Sequence, residues 1–108
     1  MRLVTTHPGE ILLAEYLDQL ELSSRGLAHE LGVAPSRVIE FVAGRQGVDA
    51  DLAIRLSRYL GTTPEVWLRM QMDYDVAKCL AENDYSDVAE RVEPAPPLEL
   101  VAHAVLDA

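Results

Sequence analysis

Residues 27–47 read LAHELGVAPSRVIEFVAGRQG, and they decide how the rest of the chain must be assembled. Leu27, Ala28 and Leu31 recur at helical spacing until Gly32 stops them. Pro35 then reopens a helix in which Val38 and Phe41 lie three apart, before Gly44 stops it again. Glycine enters the left-handed conformation that ends a helix with no Cβ in the way. Proline suits a first helical position, because the N–H it lacks would have no partner there. With Ser23 as an N-cap, the spacing predicts two short helices, 24–31 and 35–43, joined by a tight corner.

Working outward, HPGEILLAEYL places Leu12, Leu13, Tyr16, Leu17 and Leu20 on one face of a helix over 8–20, with Pro8 opening it and Glu10 at the positive end of its dipole. Beyond the corner, Asp49 caps a helix over 50–60 with Leu52, Ala53, Leu56 and Leu60 inward and Gly61 at its end. Thr63-Pro64-Glu65 opens a fifth and longest helix. At about 100° per residue it carries two apolar stripes on opposite sides. Trp67, Met70, Tyr74, Ala77 and Ala81 form one; Leu68, Met72, Val76, Cys79 and Leu80 form the other. One stripe can pack on the preceding helices, and a second copy of the chain is the natural cover for the other. The pattern leaves open which faces inward; Leu68, Met72, Val76 and Cys79 are the dimer candidates.

After Asn83-Asp84 the chain turns acidic, and Pro94, Pro96 and Pro97 exclude a continuous helix. Residues 83–97 read as a linker. Leu98, Val101, Ala102, Val105 and Leu106 then fit a short helix, although the same stretch also fits a strand alternation. The expected organisation is an all-α domain over 1–82 followed by an acidic, Pro-containing tail over 83–108.

At 108 residues, the chain has room for one small core and none for a cleft between domains. The single Cys79 permits no internal disulfide or thiolate zinc site, His7, His29 and His103 lie at no metal-ligand spacing, and no base can be assigned to Cys79 as a nucleophile. No catalytic, cofactor or metal site is therefore expected. The start MRLVTTHPGE has no apolar signal core and no run approaches a membrane span, so a soluble protein of the reduced cytoplasm is expected. Charge is unevenly placed. Residues 1–60 hold six basic and eight acidic side chains, whereas 61–108 hold three and ten. Since local field rather than net charge steers a polyanion, the front half can still meet phosphate while the back half suits a basic partner.

The corner, with HPGEILLAEYL before it and GRQGVDADLAIRLSRYLGTTPEVWL and QMDYDV after it, resembles the HigA-type (VapI-like) antidotes among the Xre/Cro-like helix-turn-helix proteins. The likeness spans about residues 7–80. It implies a five-helix domain of the Cro and lambda-repressor type, and a cytoplasmic homodimer that neutralises a small basic RNA-cleaving toxin and represses its own operon at palindromic half-sites. The helix over 35–43 would then enter the major groove, presenting Pro35, Ser36, Arg37, Ile39, Glu40 and Ala43, while Ser24 and Arg25 meet backbone phosphate. Among these, Arg37 is the expected base reader, because a guanidinium bonds guanine O6 and N7 together; Arg45 is the expected phosphate clamp. The chain departs from the family in having Ser24 or Arg25 where relatives commonly carry Gln, Ile39 and Ala43 where polar or basic residues are frequent, and Arg45-Gln46 where two basic residues are usual. A solitary regulator, or a protein-binding antidote with little DNA affinity, is the alternative.

Overall fold

The computed structural model describes residues 6–97, and every regular element among them is helical. Helix α1 starts as Pro8–Ile11, passes through a π-helical stretch, Leu12–Leu17, and closes as Asp18–Leu20. The others are α2 (Ser24–Leu31), α3 (Pro35–Val42), α4 (Ala50–Leu60), α5 (Pro64–Glu82) and α6 (Val88–Arg91). Over the described residues the chain is all-α, as the sequence implies.

Side chains close the helix starts where the sequence places them. Ser23 Oγ accepts the Gly26 amide at 2.9 Å, Asp49 Oδ1 that of Leu52 at 2.8 Å, and Thr63 Oγ1 that of Val66 at 3.3 Å. Gly32 and Gly61 end α2 and α4 in the left-handed region, at φ 72° and 76°. Packing of the inward faces then builds one core around Trp67, Phe41, Leu12, Leu17, Leu27 and Leu56, each buried essentially completely. Trp67 satisfies its one polar group by donating Nε1–H to Thr62 Oγ1 at 2.8 Å.

Two expectations need correcting. Leu13 and Leu20 do not share the buried face of α1: they are 41% and 52% exposed. The π-helical stretch is the reason, for its wider turns bring residues five apart into line, so that Leu12 and Leu17 are the pair that reaches the core. The segment read as a linker contains the single turn α6, held by an Asp87–Arg91 ion pair at 2.8 Å. The helix expected over 98–106 lies outside the described residues.

The question of the two stripes on α5 is resolved by burial. Trp67 is inside and Met70, Tyr74 and Ala77 are half-buried, whereas Met72, Val76 and Leu80 stand 56%, 54% and 60% exposed. Leu68, assigned by periodicity to the outer stripe, is half-buried and packs on the core. From Lys78 onward every residue of α5 is exposed, so its last turns project past the domain.

Two polar side chains that periodicity does not mark hold the helices in register. Gln71 on α5 is 9% exposed; its Oε1 accepts the Val48 amide at 2.9 Å and its Nε2 donates to Asp75 at 2.9 Å. This ties the loop between α3 and α4 to α5. Replacing Gln71 by Leu should leave the buried Val48 N–H without an acceptor and lower unfolding free energy by about 1–3 kcal/mol, measured by urea titration. An unchanged urea midpoint would refute that role.

His7, 4% exposed, joins α1, α3 and α5. Its Nδ1 accepts the Gly9 amide at 2.9 Å, and its ring lies 5.5 Å from that of Phe41 and 4.9 Å, edge-on, from that of Tyr74. Burial lowers its pKa below the ordinary 6.5, against the opposing pull of Asp75 and Glu10. As pH falls through 6.5 the unfolded chain takes up the proton first, so the contribution of neutral His7 is complete above that value and is lost below it, down to the folded pKa. Urea midpoints should therefore fall as the pH drops below about 6.5, and fall less in His7→Asn, which keeps a cap acceptor without an imidazole. Parallel profiles would assign the acid sensitivity elsewhere.

Candidate nucleic-acid interface

The α2–α3 corner presents its inner face to the core through Leu27, Ala28, Leu31, Val38 and Phe41. Gly32 turns it, donating to His29 at 3.2 Å, while the Val33 amide reaches back to Ala28 at 3.1 Å. The opposite side of α3 is left outward. Pro35, Ser36 and Ala43 are exposed there, with Ile39 and Glu40 half-buried at its edges. At the start of α2, Ser23 takes the Gly26 amide, while Ser24 and Arg25 head the helix with amides that have no acceptor within it. Arg25 is exposed and makes no ion pair among the described residues.

Arg37 and Arg45 are arranged differently from what the sequence alone suggests. The guanidinium of Arg37 lies across the gap to α4, donating from Nη2 to Asp49 Oδ1 at 3.2 Å and from Nη1 to Asp51 Oδ2 at 3.0 Å. Asp51 also receives Arg55 Nε at 3.0 Å, and Arg55 Nη1 donates to the Leu31 carbonyl at 2.8 Å. One chain of charge-assisted bonds thus links α3, the start of α4 and the end of α2. Arg45, just past Gly44, forks onto Glu40 with Nε to Oε1 at 2.7 Å and Nη2 to Oε2 at 3.0 Å. The hydrogen bonds from Arg45 hold the Glu40 carboxyl below the usual carboxylate range, and those from Arg37 and Arg55 do the same to Asp51.

The sequence offers Ser24, Arg25, Pro35, Ser36, Arg37, Ile39, Glu40 and Arg45 for DNA, and all of them lie on or beside α2 and α3. What it did not reveal is that Arg37 carries carboxylate partners from fourteen and twelve residues away. In the sequence, Asp49 reads only as a helix cap. Asp49 does cap α4, and together with Asp51 it also pairs with Arg37 on α3. The spacing from Glu40 to Arg45 was visible, but only the left-handed turn at Gly44, φ 78°, brings the pair together.

The α5 candidates lie on a separate surface. Met72, Val76 and Cys79 are exposed, with Cys79 Sγ 2.7 Å from Tyr85 Oη. Among the described residues no group of His, Cys, Asp and Glu is arranged to hold a metal ion, and no helix is long and apolar enough to cross a membrane.

A short helix, a glycine corner and a second helix with its polar side outward define the class, and the profile of the helix-turn-helix family matches residues 13–67. The chain belongs to that family and, within it, to the group of HigA antitoxins and virulence-associated protein I. It is 46% identical over 82 residues to virulence-associated protein I of Dichelobacter nodosus, covering 76% of this chain and 74% of that protein. Antitoxin HigA-1 of Vibrio cholerae is 37% identical over 87 residues, 80% of this chain and 79% of the relative. In structure it is similar to the Pseudomonas aeruginosa antitoxin HigA, solved with the higBA promoter, at a TM-score of 0.76 and 37% identity over 83% of this chain and 97% of that one. The family is one of DNA-binding antitoxins and regulators and not a class of enzymes.

Proposed function

We propose that this chain is a homodimeric autorepressor that binds palindromic operator DNA through α3 and, in the cytoplasm, neutralises a small basic RNA-cleaving toxin. The observation that carries the DNA reading is the outward face of α3 beside the open start of α2, in a fold shared with a HigA solved on its promoter. Ser36 and Ile39 meet base edges, Ile39 as an apolar partner for a thymine methyl group, and the amides and side chains at Ser24 and Arg25 meet phosphate. Arg37 acts from the flank of α3, where it sets the angle of that helix against α4.

Two exposed features support the partners. The outer stripe of α5 offers Met72, Val76 and Leu80, which none of the described residues covers, and this suits a second copy. A two-fold pair would set its recognition helices about one turn of DNA apart, roughly 34 Å. The acidic balance, above all α1 with Glu10, Glu15 and Asp18 and no basic residue, suits a partner that is positively charged because it grips RNA.

Sedimentation should give the mass of two chains, and Met72→Glu with Val76→Glu should give one, with operator affinity reduced more than tenfold because half-sites are then bound singly. A wild-type monomer at micromolar concentration would exclude the two-fold repressor. Arg25→Ala should weaken binding to every duplex alike and shallow the salt dependence by about one unit per protomer, read by fluorescence anisotropy across a salt series. Coexpression with the product of the adjoining reading frame tests the toxin: copurification with loss of ribonuclease activity is expected, and a free, active ribonuclease would overturn that part of the proposal.

A further inference from the structure

The arginines that flank α3 are matched charge for charge. Arg37, Arg45 and Arg55 face Glu40, Asp49 and Asp51 in ion pairs of 2.7–3.2 Å, so this part of the interface presents dipoles where it could have presented cations. Arg25, at the start of α2, makes no ion pair among the described residues. We infer that Glu40, Asp49 and Asp51 are specificity-determining residues, which withhold Arg45 and Arg37 from DNA of arbitrary sequence and so widen the gap between operator and non-operator binding. The inference rests on the DNA-binding reading above.

The physical argument turns on where each kind of binding draws its free energy. Non-specific binding is almost wholly electrostatic: a cation meets phosphate and a condensed counterion is released. An arginine already paired in the protein has two courses. If the pair stays closed, its carboxylate is brought against the polyanion and repels it. If the pair opens, the carboxylate is stranded beside phosphate and recruits a cation from solution, which offsets the one released. Either course removes most of the gain. Contacts from Ser36 and Ile39 to base edges involve no ion exchange and are left intact. The penalty is therefore largest in the non-specific complex, which is held by phosphate contacts alone and brings these pairs against the backbone. In the operator complex the base contacts of Ser36 and Ile39 fix the register of α3 and leave the pairs closed at its flank, where they cost less.

The geometry also keeps the carboxylates where they act. Asp49 cannot swing away without releasing the Leu52 amide that it caps at 2.8 Å. Asp51 is held from a second side by Arg55, itself fixed to the Leu31 carbonyl. Glu40 is gripped at both oxygens by Arg45, and the backbone amides of Arg45 and Gln46 both donate to the Glu40 carbonyl, at 2.9 and 3.2 Å. These are built-in partners rather than side chains that meet by chance in solvent.

The test uses the full-length protein, the duplex that the wild type enriches from a random pool, and an unselected duplex of equal length. Glu40→Gln and Asp51→Asn should each raise affinity for the unselected duplex by roughly fivefold to tenfold and steepen its salt dependence by about one unit per protomer. Affinity for the selected duplex should rise less, so the ratio of the two falls. Glu30→Gln removes one charge from an exposed, unpaired site on α2 and serves as the control for net charge; its effect should be small. In an Arg45→Ala background the gain from Glu40→Gln should shrink to that of the control. Equal gains from Glu30→Gln and Glu40→Gln, or a gain undiminished without Arg45, would overturn the inference while leaving DNA binding intact. Failure of the wild type to enrich any sequence would overturn the DNA-binding reading and the inference with it.

Discussion

The start of α1 rests directly on the end of α3, and the placement of α3 depends on that contact. A Cβ at Gly9 would be driven into the Phe41 carbonyl, so no side chain fits there, while Gly44, beside the His7 ring, turns the chain at a left-handed φ of 78° that suits glycine. His7 seals the contact by capping α1 and filling the space between Phe41 and Tyr74. Since α3 is only two turns long, its own hydrogen bonds cannot fix its direction. Direction comes from three outside ties: α1 at its end, the Arg37 bridge to α4 on its flank, and Gln71 holding the loop that follows. All three cross between elements distant in sequence.

That distinction separates what was legible in the sequence from what was not. Ser23, Gly32, Pro35, Asp49, Gly61 and Thr63 act on backbone groups within a few residues of themselves, and helix number and order follow from them. The tally of carboxylates was equally plain. Gln71 was invisible, because a glutamine midway along a helix ordinarily faces water, and only the return of the 44–49 loop gives it a buried amide to satisfy. The position of Arg37 on α3 could be read, but its occupancy by Asp49 and Asp51 could not. The π-helical stretch broke the assumption of a constant period and misplaced Leu13 and Leu20. The two stripes of α5 were found as a pair, and the deciding fact was the fit of Trp67 into the core.

An acidic protein that binds a polyanion is less contradictory than its net charge of -9 implies. The surfaces in question are separate. The carboxylates of α1 lie on one element, the apolar stripe projects along another, and the face built from α2 and α3 is close to neutral, with Arg37, Arg45 and Arg55 paired to carboxylates and Arg25 balanced in number by Glu30. A neutral interface at short range, on a molecule that repels DNA at long range, gains little from encounter and much from fit. The family relationship says which kind of molecule this is; the ion pairs describe how this chain is tuned.

The π-helical stretch of α1 has a consequence for alignment and for grafting. A turn closed by i to i+5 hydrogen bonds holds one residue more than an α-turn, so α1 accommodates one residue more than an uninterrupted α-helix with the same ends. The extra residue lies near Ala14 and Glu15, both exposed, and leaves Leu12 and Leu17 in the core on either side. If the outer residues of α1 were transplanted onto an uninterrupted α-helix, those before and after this point would be turned about 100° relative to one another, more than a quarter of the circumference. The surface of α1 is thus a property of its backbone phase as much as of its residues, and a chimera that copies the letters without the bulge would present a different face.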